Sequence, residues 1–127
     1  MRGVNRIVLV GRVGRDPELK FGKKGTPWCS WSVATERFVR DGENWVDTTD
    51  WHRIVAFGKV AERSGERVHR GDLIGVEGVL TYESWTDEEG VQRTSTRVIA
   101  DRVNVLSRRR SETPSEPPEE EENLQDA

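Results

Sequence analysis

A chain of 127 residues, 34% of them charged and 33% hydrophobic, fits one ordinary domain with an appendage, large enough to bury a core without disulfides or metals. The net charge of -3 conceals a division: all 20 lysines and arginines precede Ser111, so residues 1–110 carry a net +4 and the remainder -7. One cysteine, Cys29, excludes an internal disulfide, and the longest aliphatic run, Ile7-Val8-Leu9-Val10, falls far short of the roughly 20 residues of a membrane span, so the expected place is the reducing cytoplasm, with no export signal and no membrane partner.

Residues 4–13 form a β-rich run that is apolar on both parities, with Ile7, Leu9 and Val13 on one and Val4, Val8 and Val10 on the other. A strand of this kind is covered on both faces, by a second layer or by a second copy of the chain. Gly11 and Gly14 predict a bend or bulge, and Arg15-Asp16-Pro17 stops the strand because Pro17 has no N–H to donate. Gly22-Lys23-Lys24-Gly25 is a basic turn.

Trp28 to Arg37 is a second strand, in which Cys29, Trp31 and Val33 mark a core face and alternate with Ser30, Ser32 and Ala34. Trp28 sits on the more polar parity, where periodicity leaves its role open. Asp41-Gly42 signals a hairpin, and the polar segment from Phe38 to Trp45 predicts an exposed arm rather than a tight closure.

The third strand ends in Asp50-Trp51-His52-Arg53-Ile54-Val55-Ala56-Phe57. Side chains alternate along a strand, so Trp51, Arg53, Val55 and Phe57 point one way and His52, Ile54 and Ala56 the other. The first set places two aromatic rings and a guanidinium in one row, a combination suited to stacked bases and phosphates. The second suits a core or a subunit contact. A strand that already runs from Trp45 gives that residue the parity of Trp51.

Lys59 to Arg70 is the one plausible helix, with Val60, Ala61, Ser64 and Val68 at helical spacing, a weak point at Gly65 that costs about 1 kcal/mol relative to Ala, and Gly71 as its stop. Asp72 to Tyr82 is a fourth strand, where Ile74, Val76, Leu80 and Tyr82 alternate with Gly75, Glu77, Val79 and Thr81. Glu83 to Ser95, polar around Asp87-Glu88-Glu89-Gly90, predicts a long projecting hairpin, and Thr96 to Leu106 returns as the fifth strand. From Ser107 the chain carries Pro114, Pro117, Pro118 and Glu119 to Glu122 with almost nothing apolar, which predicts a disordered acidic C-terminal tail. Five strands with one short helix between the third and fourth is the order of an all-β OB-fold, a five-stranded Greek-key barrel, here over residues 1–106 with the tail at 107–127.

An enzyme can be tried on Asp47, Asp50 and His52, whose residue types suit a metal-dependent nuclease. Parity separates them, since Asp50 and His52 face with Ile54 while Asp47 faces with Trp51, and the spacing matches no recognised ligand set. With no nucleophile motif, Gly-rich phosphate loop or paired cysteines, the chain is expected to be a binding protein, not an enzyme, with no metal and no cofactor. The rings outside the expected core are Phe38, Trp45, Trp51, Phe57 and Trp85, and Lys23, Lys24, Arg53, Lys59, Arg70 and Arg93 could hold phosphates beside them. Single-strand binders combine aromatic stacking platforms with a basic groove in this way. An RNA-preferring OB module, a dimeric replication accessory of the primosomal type and a protein-interaction scaffold are the other readings.

Five segments carry a family resemblance: Arg2-Gly3-Val4-Asn5-Arg6-Ile7-Val8-Leu9-Val10-Gly11, Gly14 to Leu19, Ser32-Val33-Ala34-Thr35, Asp50 to Lys59, and Ser84 to Arg93. In order, over residues 2–106, they closely resemble bacterial single-stranded DNA-binding proteins. The resemblance implies an OB-fold subunit, usually assembled as a homotetramer, that wraps and protects single-stranded DNA during replication, recombination and repair in the cytoplasm, associated with the nucleoid. It also implies base stacking at Trp51, Phe57 and Trp85, with Phe38 one residue out of step with a position where the family often has tryptophan. His52 matches a position near subunit contacts, and the two-sided first strand, Val4, Ile7, Val8 and Val10, matches the family's subunit pairing. Two features depart from the family: Arg67 stands where relatives commonly carry a large apolar residue, and the chain ends Asn123-Leu124-Gln125-Asp126-Ala127, without the hydrophobic tip through which relatives recruit replication and repair proteins.

Overall fold

The computed structural model describes residues 2–108. In chain order the elements are β1 (Ile7–Val13), β2 (Lys20–Phe21), β3 (Pro27–Asp41), β4 (Asn44–Phe57), α1 (Gly58–Arg67), β5 (Leu73–Thr86) and β6 (Gln92–Ser107). The pairing order β1-β5-β6-β4-β3 is closed by β1 itself, which pairs antiparallel with β5 along Ile7 to Arg12 and then with β3 at Arg12 and Val13. Closure leaves five long strands as a barrel, the arrangement predicted from their number and order, and β2 is a two-residue addition along β3 that periodicity is too short to register. The change of partner within β1 needs a close backbone approach at Gly11, where a Cβ would stand 2.2 Å from the Ala34 carbonyl oxygen.

Alternation sets the core. Cys29, Trp31 and Val33 of β3 lie opposite Ala56, Ile54 and His52 of β4, and Trp31, Ile54, Ile74, Val76, Val98 and Ala100 fill the barrel interior together with Val13. The helix closes one end by its predicted face: Ala61 and Ser64 are buried, and Val60 packs against the cluster. Burial of the Cys29 thiol, whose Sγ donates to the Ala61 carbonyl, pushes its pKa up to about 11.

The helix is shorter than expected. It ends at Arg67 with Val68 already extended, because Val68 is drawn into the core while its N–H still donates to the Ser64 carbonyl. Gly71, at φ 91°, serves the next turn instead, where its N–H donates to the Val13 carbonyl. Arg67 lies exposed at the helix end, so the missing apolar residue removes nothing from the core.

The first arm also differs from expectation. Register runs without interruption from Trp28 opposite Phe57 to Asp41 opposite Asn44, so the hairpin closes tightly through Gly42, at φ 65°, and Glu43. The arm is exposed, as its polarity implied, yet fully paired. The second arm likewise continues the ladder to Thr86 opposite Gln92, around a turn in which the Asp87 carboxylate accepts from the N–H groups of Glu89 and Val91. Ser107 still pairs with Leu73, and Arg108 donates to the Arg67 carbonyl, so ordered structure passes the predicted boundary at 106. The acidic run of the expected tail, from 109 onward, lies outside the described residues. Among the described residues no helix is long and apolar enough to cross a membrane.

Candidate nucleic-acid interface

Directly opposed residues of an antiparallel pair project to the same face. On the outside of the barrel, the β3–β4 register therefore unites Trp28 with Phe57, Ser30 with Val55, Ser32 with Arg53, Ala34 with Trp51, Phe38 with Asp47 and Arg40 with Trp45. The β5–β6 register places Val79 with Ile99, Thr81 with Arg97, Glu83 with Ser95 and Trp85 with Arg93 on one face. The two ribbons join where β4 meets β6 in parallel, Val55 beside Ile99, so these rows form one surface. The five rings singled out in the sequence, Phe38, Trp45, Trp51, Phe57 and Trp85, share it.

The centre of this surface is closed and its margins are open. Ser32 and Val55 are buried, whereas Phe38, Trp45 and Phe57 are 69%, 62% and 46% exposed and Trp51 and Trp85 are half-buried. Large rings left exposed on one face expend no area on the core and remain available to a planar partner. The cations are distributed less evenly. Arg53 is half-buried on β4, Lys59 follows Phe57 at the start of α1, and Lys23 and Lys24 sit on the turn that joins β2 to β3 beside the Trp28 end. Arg93 lies opposite Trp85 and donates to Asp87 at 2.9 Å. Arg70 is set apart on the turn after α1, where its N–H donates to Asp16, so the structure does not bring it into the aromatic rows.

Trp28 is the residue that periodicity left open. Its polar parity was the signal: it lies opposite Phe57 on the ring-bearing face, with the Lys20 ammonium 5.5 Å from its ring centroid. Arg40 similarly covers the Trp45 ring at 5.9 Å. Two further residues of this face, Ser95 and Arg97, were not singled out, because their proximity to Arg53 depends on the parallel β4–β6 register.

The opposite parity of β4 behaves differently. His52 Nε2 and Thr35 Oγ1 are 2.8 Å apart, and the next pair along, Arg37 and Asp50, is joined at 2.6 Å. Burial lowers the His52 pKa against the weaker pull of Asp50, so the ring is neutral at neutral pH. The Arg37 hydrogen bond lowers the Asp50 pKa. Asp50 and His52 thus have partners of their own, and Asp47 lies across the sheet beside Phe38, which separates the three groups a nuclease reading would need together. Beyond them β1 presents Val4, Val8 and Val10 at 96%, 64% and 55% exposure, while Ile7 and Leu9 turn inward. Asn5 fixes the start of this segment, accepting from the Leu80 N–H and donating to the Leu80 carbonyl as a neighbouring strand would.

Residues 4–106 match the profile of the Single-strand binding protein family, the stretch that forms this barrel and both arms. The chain belongs to that family. It is 40% identical over 110 residues to a single-stranded DNA-binding protein of Xanthomonas axonopodis pv. citri (strain 306), covering 85% of this chain and 61% of the relative. A single-stranded DNA-binding protein of Xanthomonas campestris pv. campestris is 38% identical over 109 residues, 85% of this chain and 63% of the relative. Single-stranded DNA-binding protein 1 of Xylella fastidiosa (strain 9a5c) is 38% identical over 111 residues, 86% of this chain and 82% of the relative. The chain therefore spans about three fifths of the length of the two Xanthomonas relatives. Membership agrees with the OB-fold barrel described above, and the family is one of binding proteins that typically oligomerise.

Proposed function

We propose that this chain binds single-stranded DNA without sequence preference and protects it during replication, recombination and repair. Bases stack on Trp51, Phe57, Trp85, Phe38 and Trp45, with Trp28 extending the platform beside Phe57. Phosphates are held by Arg53, Lys59, Arg93, Lys23 and Lys24, and Arg70, set apart on the turn after α1, is left out of the set. The observation that carries the reading is the register that puts every one of these rings on a single outer face. A base of any identity offers a π-face to such rings, so the platform does not discriminate, and a duplex, whose bases are already stacked, cannot use it.

The same reading makes the chain a homotetramer of the cytoplasm, assembled through Val4, Val8, Val10 and His52, whereas Ile7, expected at the contact from the sequence, packs inward against the core. The exposed valines of β1 offer an apolar strip for that contact.

Tryptophan fluorescence, titrated with oligo-dT and with duplex DNA at two salt concentrations, tests the proposal. Four of the five tryptophans lie on the proposed surface and the fifth, Trp31, is fully buried, so saturation with the single strand should quench most but not all of the emission. Raising the salt should weaken binding along a line in log–log coordinates, with a slope of about -0.7 per phosphate neutralised. Equal quenching by the duplex sinks the stacking mechanism.

A further inference from the structure

Strands β4 and β6 pair with each other at only two positions, Ile54 with Val98 and Val55 with Ile99, and their preceding segments, each paired to its own hairpin partner, do not pair with each other. Between those segments lies a cleft of about 340 Å³, lined by Trp51 and Arg53 from β4, Ser95 and Arg97 from β6, and Ile7 and Leu80. That volume is at the small end of the roughly 300–1,000 Å³ of ligand sites, room for one small planar unit and not for a duplex.

The polar atoms of the cleft are unusual in kind. Arg53 Nη1, Arg97 Nε and Ser95 Oγ are all buried without a hydrogen-bond partner. Native structures rarely leave such groups unsatisfied, and here three of them line one space. Two belong to guanidinium groups, which donate only and cannot shed their charge. The charge balance has the same sign: Arg53 has Arg97 and Arg15 as like-charged neighbours and Glu83 as the opposing one. Glu83 is ion-paired with Arg97. The two guanidinium groups that line the cleft, Arg53 and Arg97, face one carboxylate, Glu83, a surplus of positive charge that suits an anionic acceptor. The Trp51 ring, lining the same cleft, calls for a flat partner.

We propose that the β4–β6 cleft holds one nucleotide of the bound strand, its phosphodiester oxygens accepting from Arg53 Nη1, Arg97 Nε and Ser95 Oγ while its base lies against Trp51. The inference rests on the single-strand reading above and adds Arg97 and Ser95 as phosphate contacts and Glu83 as a restraint on affinity. Glu83 holds the Arg97 guanidinium in place when the cleft is empty, and its negative charge opposes the incoming phosphate.

The test compares affinity for oligo-dT across a salt series in the full chain and in Arg97→Gln, Arg97→Lys, Glu83→Gln and Arg102→Gln. Arg102 is exposed on β6, ion-paired to Glu77 and outside the cleft, so it controls for the loss of any one positive charge. The expected result is a salt slope shallower by about 0.7 in Arg97→Gln with binding weakened several-fold, a smaller effect in Arg102→Gln, and tighter binding in Glu83→Gln. Arg97→Lys should keep the slope and lose part of the affinity, because an ammonium supplies the charge without the fork. An Arg97→Gln slope equal to that of the wild type overturns the inference. Weaker binding at unchanged slope does so too, and it would assign a base carbonyl to the cleft if an abasic strand shows no such loss. Should Arg97→Gln fail to fold, unaltered binding in Glu83→Gln is the overturning result. A wild-type chain that ignores single strands altogether refutes the function itself, an outcome distinct from binding that does not depend on Arg97.

Discussion

Trp51 and His52 are neighbours in the chain, and the strand sends them to opposite faces, to which the proposed function gives different tasks. Trp51 stands on the ring-bearing surface opposite Ala34, so Trp51→Ala should weaken single-strand binding by about 1–3 kcal/mol, a range measured on OB-fold single-strand binders, this family among them. Its sedimentation behaviour should match the wild type, and an altered mass would place Trp51 in the assembly instead. His52 is held near Thr35 with a pKa below its ordinary 6.5 because burial disfavours the imidazolium. The unfolded chain then binds the proton more readily than the folded one, so stability is full above about pH 6.5 and declines as the pH falls below it. The urea midpoint should drop between pH 7.5 and 5.5, and His52→Gln should show a smaller drop; an equal drop in both assigns the effect to another group.

At the scale of the element, glycine positions separate propensity from packing. Gly78 sits at the irregularity of β5, where a Cβ would stand 2.1 Å from the Ile99 carbonyl oxygen, so Gly78→Ala forces backbone apart and should cost at least the 1–3 kcal/mol typical of overpacking. Gly65 is the contrary case. A Cβ there would meet only the Leu19 side chain, at 3.4 Å, and the residue lies inside α1, so Gly65→Ala should stabilise by up to about 1 kcal/mol. Thermal melts of the two variants should move in opposite directions, and a common direction would mean that the backbone at these sites relaxes freely. Gly65 is visible in the sequence as a weak point of the helix, whereas the demand for glycine at 78 comes only from its neighbour across the barrel. The arms show a similar division. The Asp41-Gly42 and Asp87-to-Gly90 turns were legible from turn chemistry, while the continuous pairing of the first arm was not, because polar strands carry no apolar alternation to reveal it.

For the whole molecule, the proposed subunit contact uses Val8 and Val10, which are exposed on β1. Replacing both with lysine should leave the barrel folded, since Ile7 and Leu9 supply its inward contacts, and should shift the solution mass to a smaller species by sedimentation. An unchanged mass would move the subunit contact elsewhere. By itself the sequence determined the succession of long strands along the chain, the single helix, the core parity of Cys29, Trp31, Ile54 and Ala56, and the rings that stay out of that core, because each follows from local periodicity of two or of 3.6. It also contained the family signature over nearly the whole barrel. Tertiary structure alone decided that Trp28 stands opposite Phe57, that the rows on β3–β4 and β5–β6 form one face, and that Arg53, Ser95 and Arg97 line a common cleft. Those facts depend on register between strands, for β4 and β6 between residues 44 positions apart, and register follows from barrel closure and from the approaches allowed at Gly11 and Gly78, which no stretch of the chain encodes alone.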